Sequence, residues 1–239
     1  MLLLLVALFV VGLVYASVGH GGASGYIVTM TLLGVAPMVI KPTALLLNLF
    51  VSSVAFVQFY RAGHFRWHTF WPFALTSIPM AFLGARLPLS DQLYRQLLAG
   101  CLLLLVARLI WSARNSETDT KPVPLGAGLA TGGFVGLLSG MLGIGGGIIL
   151  SPLMLFFQWA TTRQTAATSA LFIFVNSVSG LVSLLAKGYT PDPRQYAWIA
   201  AAFAGGLVGG YLGSRHYSVP TLRYVLAVGV AVACIKLVL

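Results

Sequence analysis

The sequence predicts an all-α integral membrane protein that crosses the bilayer many times and consists of two homologous halves. Three observations support this prediction: an apolar composition, a series of long apolar runs, and a glycine motif that occurs twice. Of the 239 residues, 59% are hydrophobic and 8% are charged, against about 25% charged in a soluble domain. The mean hydropathy is +0.94. A soluble fold cannot cover that much apolar surface, so the composition excludes a soluble enzyme, a disordered chain and a nucleic-acid-binding domain.

Ten apolar runs are candidates for membrane segments, since a crossing helix needs about 20 apolar residues. The five long runs are 42–60, 69–87, 96–112, 165–186 and 196–214. Three further runs are also plausible spans: 2–18, 124–142 and 221–239. Two short runs, 25–40 and 147–159, follow glycine clusters. The sequence therefore predicts eight long and two short membrane segments.

A polar stretch at residues 113–122 interrupts this apolar pattern. We interpret it as a linker between a first half, residues 1–112, and a second half, residues 123–239. The first run, 2–18, has the length of a signal peptide, but no Lys or Arg precedes its apolar stretch. The internal repeat gives a stronger reason to assign this run to the mature fold.

The two halves share glycine motifs in the same order. The string Gly19-His20-Gly21-Gly22 matches Gly143-Ile144-Gly145-Gly146 at an offset of 124 residues. A second match, between Leu83-Gly84-Ala85-Arg86 and Leu212-Gly213-Ser214-Arg215, has an offset of 129 residues. Small loop insertions account for the difference between the two offsets. In this alignment, run 2–18 of the first half corresponds to run 124–142 of the second.

The charge pattern is strongly basic, with 14 Lys and Arg against 4 Asp and Glu and a net charge of +10. The basic residues lie at the ends of apolar runs. There they anchor the chain to lipid headgroups, or create a field that favours an anion, and both interpretations stand. The expected partners are the lipid bilayer and a small anionic substrate, with no nucleic acid.

The acidic residues all lie in predicted loops: Asp91, Glu117, Asp119 and Asp192. A cation pump or a carboxylate proton relay needs acids within the membrane, so this distribution argues against both. The two cysteines, Cys101 and Cys234, match no metal-binding motif. We therefore expect no metal, no cofactor and no catalytic residue.

The repeated glycine clusters predict two broken helices. Interrupted membrane helices at matching places in two repeats are typical of transporters. A helix that restarts exposes N–H groups at its new N-terminus, which attract anions together with the helix dipole. The alternative is that the glycines only permit close helix packing. The predicted substrate-binding residues are Gly19, His20, Gly21, Gly22, Ser24, Asn48, Gly143, Gly145, Gly146, Gly147, Thr168, Ser169 and Asn176.

Five polar side chains have more than one interpretation. Asn48 and Asn176 are ligands or interhelical hydrogen-bonding groups. His20 is the titratable side chain within the motifs. It has a functional role, in which it couples a proton to transport or adds positive charge to an anion site, or it is a neutral group fixed by packing. Lys41 and Arg163 precede the third span of each half, where they attract the anion at the mouth or extend to headgroups.

The motifs also carry a family resemblance. The string Gly143-Ile144-Gly145-Gly146-Gly147, followed by Pro152, resembles the TauE/SafE sulfite-exporter family of membrane transporters. Residues 17–26, 41–48 and 61–67 resemble one branch of that family. The resemblance covers both halves and implies movement of sulfite, organosulfonates or related carboxylates. His20 and Ala23 depart from the second-half motif, which has Ile144 and Gly147.

Several alternatives remain at this stage. If the short segments cross the membrane, each half has five crossings and the repeats are inverted; if they are re-entrant, each half has four and the repeats are parallel. We favour inversion, because two helix breaks that face each other then form one shared site. A passive anion channel and a carboxylate permease fit the same pattern. The Gly-x-Ser-Gly string ending at Gly25 also resembles an intramembrane serine protease with Ser24 as nucleophile. We expect a bacterial inner-membrane location and either a monomer or a homodimer.

Overall fold

A computed structural model describes residues 2–87, 90, 92–93, 96–97, 100 and 120–216. Within these residues the chain contains eight defined α-helices and no β-strand. The helices are α1 (Leu2–Ser17), α2 (Ala23–Leu32), α3 (Pro37–Arg61), α4 (Trp67–Arg86), α5 (Leu125–Leu142), α6 (Gly147–Phe156), α7 (Thr162–Leu185) and α8 (Arg194–Arg215).

The all-helical membrane prediction is confirmed in its main features. Four of the described helices, α3, α5, α7 and α8, are long and apolar enough to cross a membrane, and α1, α2 and α6 are shorter apolar helices. The predicted run 221–239 lies outside the described residues, as does almost all of run 96–112. The predicted total of ten segments therefore remains a prediction.

The boundaries of one predicted run were wrong. We expected a single short segment over 25–40 that ends near Pro37, but α2 ends at Leu32 and α3 begins at Pro37. Gly34, at φ 72°, turns the chain between them. Proline at the first helical position lacks an N–H that would be unpaired there, so it begins a helix without penalty. Pro37 thus starts the long helix instead of ending the short one.

The described helices form two bundles, and each bundle contains helices from both halves of the sequence. The first bundle consists of α1, α2, α3 and α8, and the second consists of α4, α5, α6 and α7. Helix α8 packs along α1 and α3, whereas α4 packs along α5 and α7. Each bundle therefore takes three helices from one half and its fourth from the other.

Glycines bring the most closely packed helix pairs together. Along α8, a glycine every fourth residue lies against a backbone carbonyl of α1: Gly205 at Phe9, Gly209 at Leu13 and Gly213 at Ser17. Along α5, the same spacing meets α4: Gly132 at Phe73, Gly136 at Ser77 and Gly140 at Ala81. Residue numbers rise together in both pairs, so each pair is parallel. A Cβ at these glycines would overlap the neighbouring backbone, as in other small-residue membrane interfaces.

Hydrogen bonds further connect helices within each bundle. In the second bundle, two serines of α7 and Lys187, just beyond its end, donate to three carbonyls of α4: Ser179 Oγ to Ile78 O at 2.6 Å, Ser183 Oγ to Phe82 O at 2.9 Å, and Lys187 Nζ to Arg86 O at 2.9 Å. In the first bundle, Gln195 Nε2 of α8 donates to Thr43 Oγ1 of α3 at 2.6 Å. These hydrogen bonds hold neighbouring helices of each bundle together.

The main contact between the bundles, within the described residues, is the crossing of α3 and α7. We call this contact, with the two glycine-rich breaks beside it, the seam. Leu45 near the start of α3 lies 3.4 Å from a Cβ position at Gly180, near the end of α7. Phe59 near the end of α3 packs with Ala166 and Ala167 near the start of α7. The two helices are therefore antiparallel.

The glycine contacts within the second bundle predict a sharp difference between two substitutions on α5. Gly136→Leu should lower the free energy of unfolding by about 1–3 kcal/mol or more, because the added side chain meets the backbone of Ser77. Thermal unfolding in detergent, followed by circular dichroism, measures the effect. Gly126→Leu is the control, since a Cβ there meets nothing within 4 Å. Equal unfolding midpoints for the two variants would contradict this packing.

Candidate functional site

Two helix breaks with the same construction lie at the seam. The first separates α1, which ends at Ser17, from α2; the second separates α5, which ends at Leu142, from α6. Gly22 and Gly146 cap the restarting helices at φ 94° and 80°, and neither has a side-chain cap. A positive φ favours glycine because it has no Cβ. The first N–H groups of α2 and α6 thus have no capping side chain beside them.

The breaks approach each other at Asn48, in the middle of α3. A Cβ built on Gly21 would overlap Asn48 Oδ1, and a Cβ built on Gly145 would lie 3.0 Å from Asn48 Nδ2. Both positions also lie close to Cγ2 of Ile173 on α7, at 3.0 and 2.7 Å respectively. One side chain from each central helix therefore lies against the two breaks, and the Asn48 amide lies between the glycines of the two halves.

Both predicted asparagines are buried and have no hydrogen-bond partner among the described residues. Asn48 is 0% exposed and Asn176 is 1% exposed, and neither the oxygen nor the nitrogen of either amide is paired. The antiparallel crossing of α3 and α7 places these two residues at a similar level. Buried amides are normally paired, because leaving one unpaired costs about 1–3 kcal/mol. Neither amide makes an interhelical hydrogen bond among the described residues, and their role as ligands stays a prediction.

Six buried hydroxyl groups share this property among the described residues. They are those of Tyr26, Ser52, Ser139, Thr165, Thr168 and Ser177. The Tyr26 hydroxyl lies 3.0 Å from a Cβ position at Gly22, and Ser139 Cβ lies 3.2 Å from one at Gly146. Each capping glycine therefore has a hydroxyl-bearing side chain nearby. Of the six, we predicted only Thr168 from the sequence.

His20 connects the first break to the second half. Its Nδ1 lies 3.0 Å from the Val18 carbonyl, and its Nε2 lies 3.3 Å from the Gly147 carbonyl. Ser151 Oγ lies 3.1 Å from Nε2 and 2.7 Å from Ser169 Oγ. His20 and Ser169 were predicted site residues and Ser151 was not. The three side chains form a chain of hydrogen bonds from the first break to α6 and α7.

The predicted residue Ser24 lies on the other side of the first break. Its Oγ is 3.0 Å from the hydroxyl of Tyr15 on α1, and both groups are buried. This hydrogen bond joins α1 to α2. The imidazole of His20 instead contacts Ser151. Ser24 therefore lacks the histidine contact that a serine nucleophile needs.

The two predicted cations lie near opposite ends of the seam. Lys41 Nζ donates to the Met141 carbonyl at 2.9 Å, at the C-terminus of α5, where a positive charge is favourable. Arg163 lies in the first turn of α7, where that helix meets the end of α3. Burial lowers the pKa of His64 in the α3–α4 connection, and the charge of Arg163 lowers it further. Each end of the seam thus carries one basic side chain.

The carboxylate that the described residues contain belongs to Asp192. Asp192, in the connection between α7 and α8, accepts a hydrogen bond of 2.7 Å from Arg194. The side-chain and backbone hydrogen bonds from Arg194 lower the pKa of the Asp192 carboxyl. No described helix carries an acid, and no described group of His, Cys, Asp and Glu could hold a metal ion. The donors at the seam are neutral groups, the imidazole of His20 and the ammonium of Lys41, whose side chain lies against Gly143.

A family model for the sulfite exporter TauE/SafE matches residues 4–237. The chain belongs to the TauE/SafE sulfite exporter family. It is 40% identical to the probable membrane transporter protein y4hK of Sinorhizobium fredii, with 98% of this chain and 96% of that protein covered. The TauE/SafE resemblance of the glycine motifs is therefore confirmed. The chain is a membrane transporter of this family.

Two relatives from Bacillus subtilis are more distant. The probable membrane transporter protein YdhB is 24% identical, with 90% of this chain and 89% of that protein covered. The probable membrane transporter protein YunE is 30% identical over a shorter region, 41% of this chain and 36% of that protein. No solved structure matches this chain. The relatives' names support a transporter and specify no substrate.

The unpaired Asn48 amide makes a testable distinction between a ligand and a structural group. Asn48→Leu removes buried polar atoms that have no partner, so the thermal unfolding midpoint should stay the same or rise. Ser179→Ala is the comparison, since it deletes a 2.6 Å interhelical hydrogen bond and should cost about 1 kcal/mol. Both are measured by thermal unfolding in detergent. A larger loss of stability in Asn48→Leu than in Ser179→Ala would make Asn48 a structural residue.

Proposed function

We propose that this transporter moves a small sulfur-containing anion, such as sulfite or an organosulfonate, by alternating access. The anion would bind between the two glycine-rich breaks. The observation that supports this most directly is the Asn48 amide, which is buried, unpaired and placed between Gly21 and Gly145. The family name supports the sulfur oxyanion as substrate.

The charges around the seam favour an anion. The restarting helices α2 and α6 direct their N-termini, with the positive ends of their dipoles, at the breaks. Such termini bind oxyanions through backbone N–H groups. Amide and hydroxyl groups supply further neutral donors, and no described helix places a carboxylate nearby to repel an anion. Lys41 and Arg163 would raise the local concentration of the anion at each end.

We propose that the two halves, residues 1–112 and 123–239 around the linker 113–122, are inverted repeats. In this correspondence, α1 pairs with α5, α3 with α7 and α4 with α8. Helix α1 is parallel to α8, α5 is parallel to α4, and α3 is antiparallel to its counterpart α7. Helix α3 is also parallel to α8, and α7 is parallel to α4. Since α3 and α7 are antiparallel, the counterparts α1 and α5 run in opposite directions, and so do α4 and α8. This arrangement supports two opposed breaks at one site.

The two bundles are suitable as the moving bodies of an alternating-access cycle. Glycine contacts and satisfied hydrogen bonds connect the helices inside each bundle. At the seam, the Asn48 and Asn176 amides have no partner, while His20 and Lys41 make hydrogen bonds across it. Rocking of one bundle on the other about the α3–α7 crossing would expose the breaks to each side in turn. In this cycle each bundle moves as a unit, although it mixes helices from both halves.

Two other transport modes use the same site. A passive anion channel or a carboxylate permease would also need N–H donors and positive ends. We favour the sulfur-anion carrier because of the family name, and the measurement below separates the three. The bacterial relatives also support a bacterial inner-membrane location. An intramembrane protease is not favoured, because Ser24 pairs with Tyr15.

The test is flux of radiolabelled sulfite, thiosulfate and isethionate in proteoliposomes. We expect saturable uptake and counterflow of at least one of these anions by the wild type. Gly145→Leu should reduce that flux at least about tenfold, the factor produced by about 1.4 kcal/mol of lost binding. Its side chain would enter the space between Asn48 and Ile173.

The control for Gly145→Leu is Gly126→Leu, because it adds the same side chain where nothing lies within 4 Å. Unchanged flux in a folded Gly145→Leu protein would exclude the breaks as the binding site. Flux without saturation or counterflow would indicate a channel. Movement of small carboxylates, but of none of the three sulfur anions, would replace the proposed substrate class.

A further inference from the structure

The groups around the His20 ring can pair with both the neutral imidazole and the protonated imidazolium. Both ring nitrogens face backbone carbonyl oxygens, Nδ1 at Val18 and Nε2 at Gly147. A carbonyl only accepts, so it fits a nitrogen that carries hydrogen. A neutral imidazole has one N–H and satisfies one of the two carbonyls, whereas an imidazolium satisfies both.

The neutral ring also has a partner at the same nitrogen. With Nδ1–H donating to Val18, Nε2 accepts the hydroxyl hydrogen of Ser151 at 3.1 Å, and Ser151 Oγ accepts from Ser169 at 2.7 Å. When Nε2 gains a proton, it donates to the Gly147 carbonyl, and the Ser151 hydroxyl rotates to donate to Ser169. One proton is thus gained or lost with hydroxyl rotations alone.

The surroundings of His20 leave its charge without a fixed counter-charge. The ring is 2% exposed, and the helices around it contribute no acid. Their titratable and charged side chains are Tyr15 on α1, Tyr26 on α2, Lys41, Tyr60 and Arg61 on α3, and Arg163 on α7, whereas α6 has none. An imidazolium in this setting is unfavourable alone. An anion bound at the adjacent breaks would supply the missing negative charge.

We propose that His20 binds a proton together with the transported anion and so makes the transporter a proton–anion symporter. This inference rests on the proposed function and specifies how it is driven. The proton enters from the water on the side that is open, binds Nε2, and leaves to water on the other side after the bundles move. Because binding is reciprocal, a bound anion favours the proton by the same factor by which the proton favours the anion.

The position of His20 explains how the proton would influence the bundle movement. The residue lies in the break that follows α1, in the first bundle, and its Nε2 partners Gly147 and Ser151 lie on α6, in the second bundle. Protonation therefore changes a contact across the seam. A loaded site, with anion and imidazolium together, carries less net charge through the membrane than the anion alone.

The test measures protons and anions together in proteoliposomes that contain a pH-sensitive dye. The added anion is isethionate, or thiosulfate where isethionate gives no counterflow, because strong-acid anions carry no proton by diffusion through lipid. In the wild type we expect inward flux to acidify the lumen, with about one proton for each anion. His20→Gln keeps a side-chain N–H but does not titrate, so the proton-to-anion ratio should fall towards zero, whatever the remaining flux.

His68→Gln is the matched control, since His68 is exposed on α4 and lies outside the seam. It should retain the wild-type proton-to-anion ratio. An unchanged ratio in His20→Gln would overturn the proposal. Net inward flux of the anion without acidification of the lumen in the wild type would overturn it as well, even where His20→Gln fails to fold.

A second measurement does not depend on transport. The thermal unfolding midpoint in detergent is followed between about pH 5.5 and 8, the range in which histidines titrate. We expect His20→Gln to lose part of the wild-type pH dependence and His68→Gln to lose less. If none of the anions shows counterflow, the proposed function fails, and this comparison still decides whether His20 titrates. Identical pH dependence in both variants would exclude His20 as the proton site.

Discussion

Backbone polar groups inside a membrane need partners, and this constraint determines where a helix can break. Both breaks in this chain are buried against protein. Gly19 lies against the backbone of Ala166 on α7, and Gly143 lies 2.7 Å, measured from its Cβ position, from Lys41 Cγ on α3. The α3–α7 crossing thus encloses irregular backbone that could not face lipid. The seam and the breaks depend on each other: the breaks need the cover of the central helices, and the central helices meet at the glycines.

The sequence predicted most of the helices, because apolar runs and their lengths are local properties. It failed between α2 and α3, where an apolar run continues through Gly34 and Pro37, and the backbone at those two residues separates the helices. The sequence also did not predict that α4 packs with the helices of the second half and α8 with those of the first. Glycines at every fourth residue, such as Gly205 and Gly209, indicate that another backbone approaches but do not identify its helix.

The candidate site shows a similar division. The repeated motif predicted the glycines, and polar residues in the following apolar runs predicted the two asparagines, but neither pattern pointed to Tyr26 or Ser139. The reason is that hydroxyls in apolar helices usually donate to a carbonyl one turn earlier, as Thr43 does to Val39 at 2.6 Å. The sequence does not show which hydroxyls lack this partner. Ser139 belongs to the unpaired group, and that difference appears only when the neighbouring helices are in place.

The distribution of satisfied and unsatisfied groups connects the fold to its movement. Inside the bundles, donors such as Ser183 have carbonyl partners, whereas Asn48 and Asn176 at the seam have none. Each unpaired buried group costs about 1–3 kcal/mol, so the two asparagines make the seam less stable than it would be with both amides paired. A substrate that pairs these groups would stabilise the closed seam more than an open one. Because a ligand shifts a conformational equilibrium only through such a difference, the unpaired amides give binding a means of driving the movement.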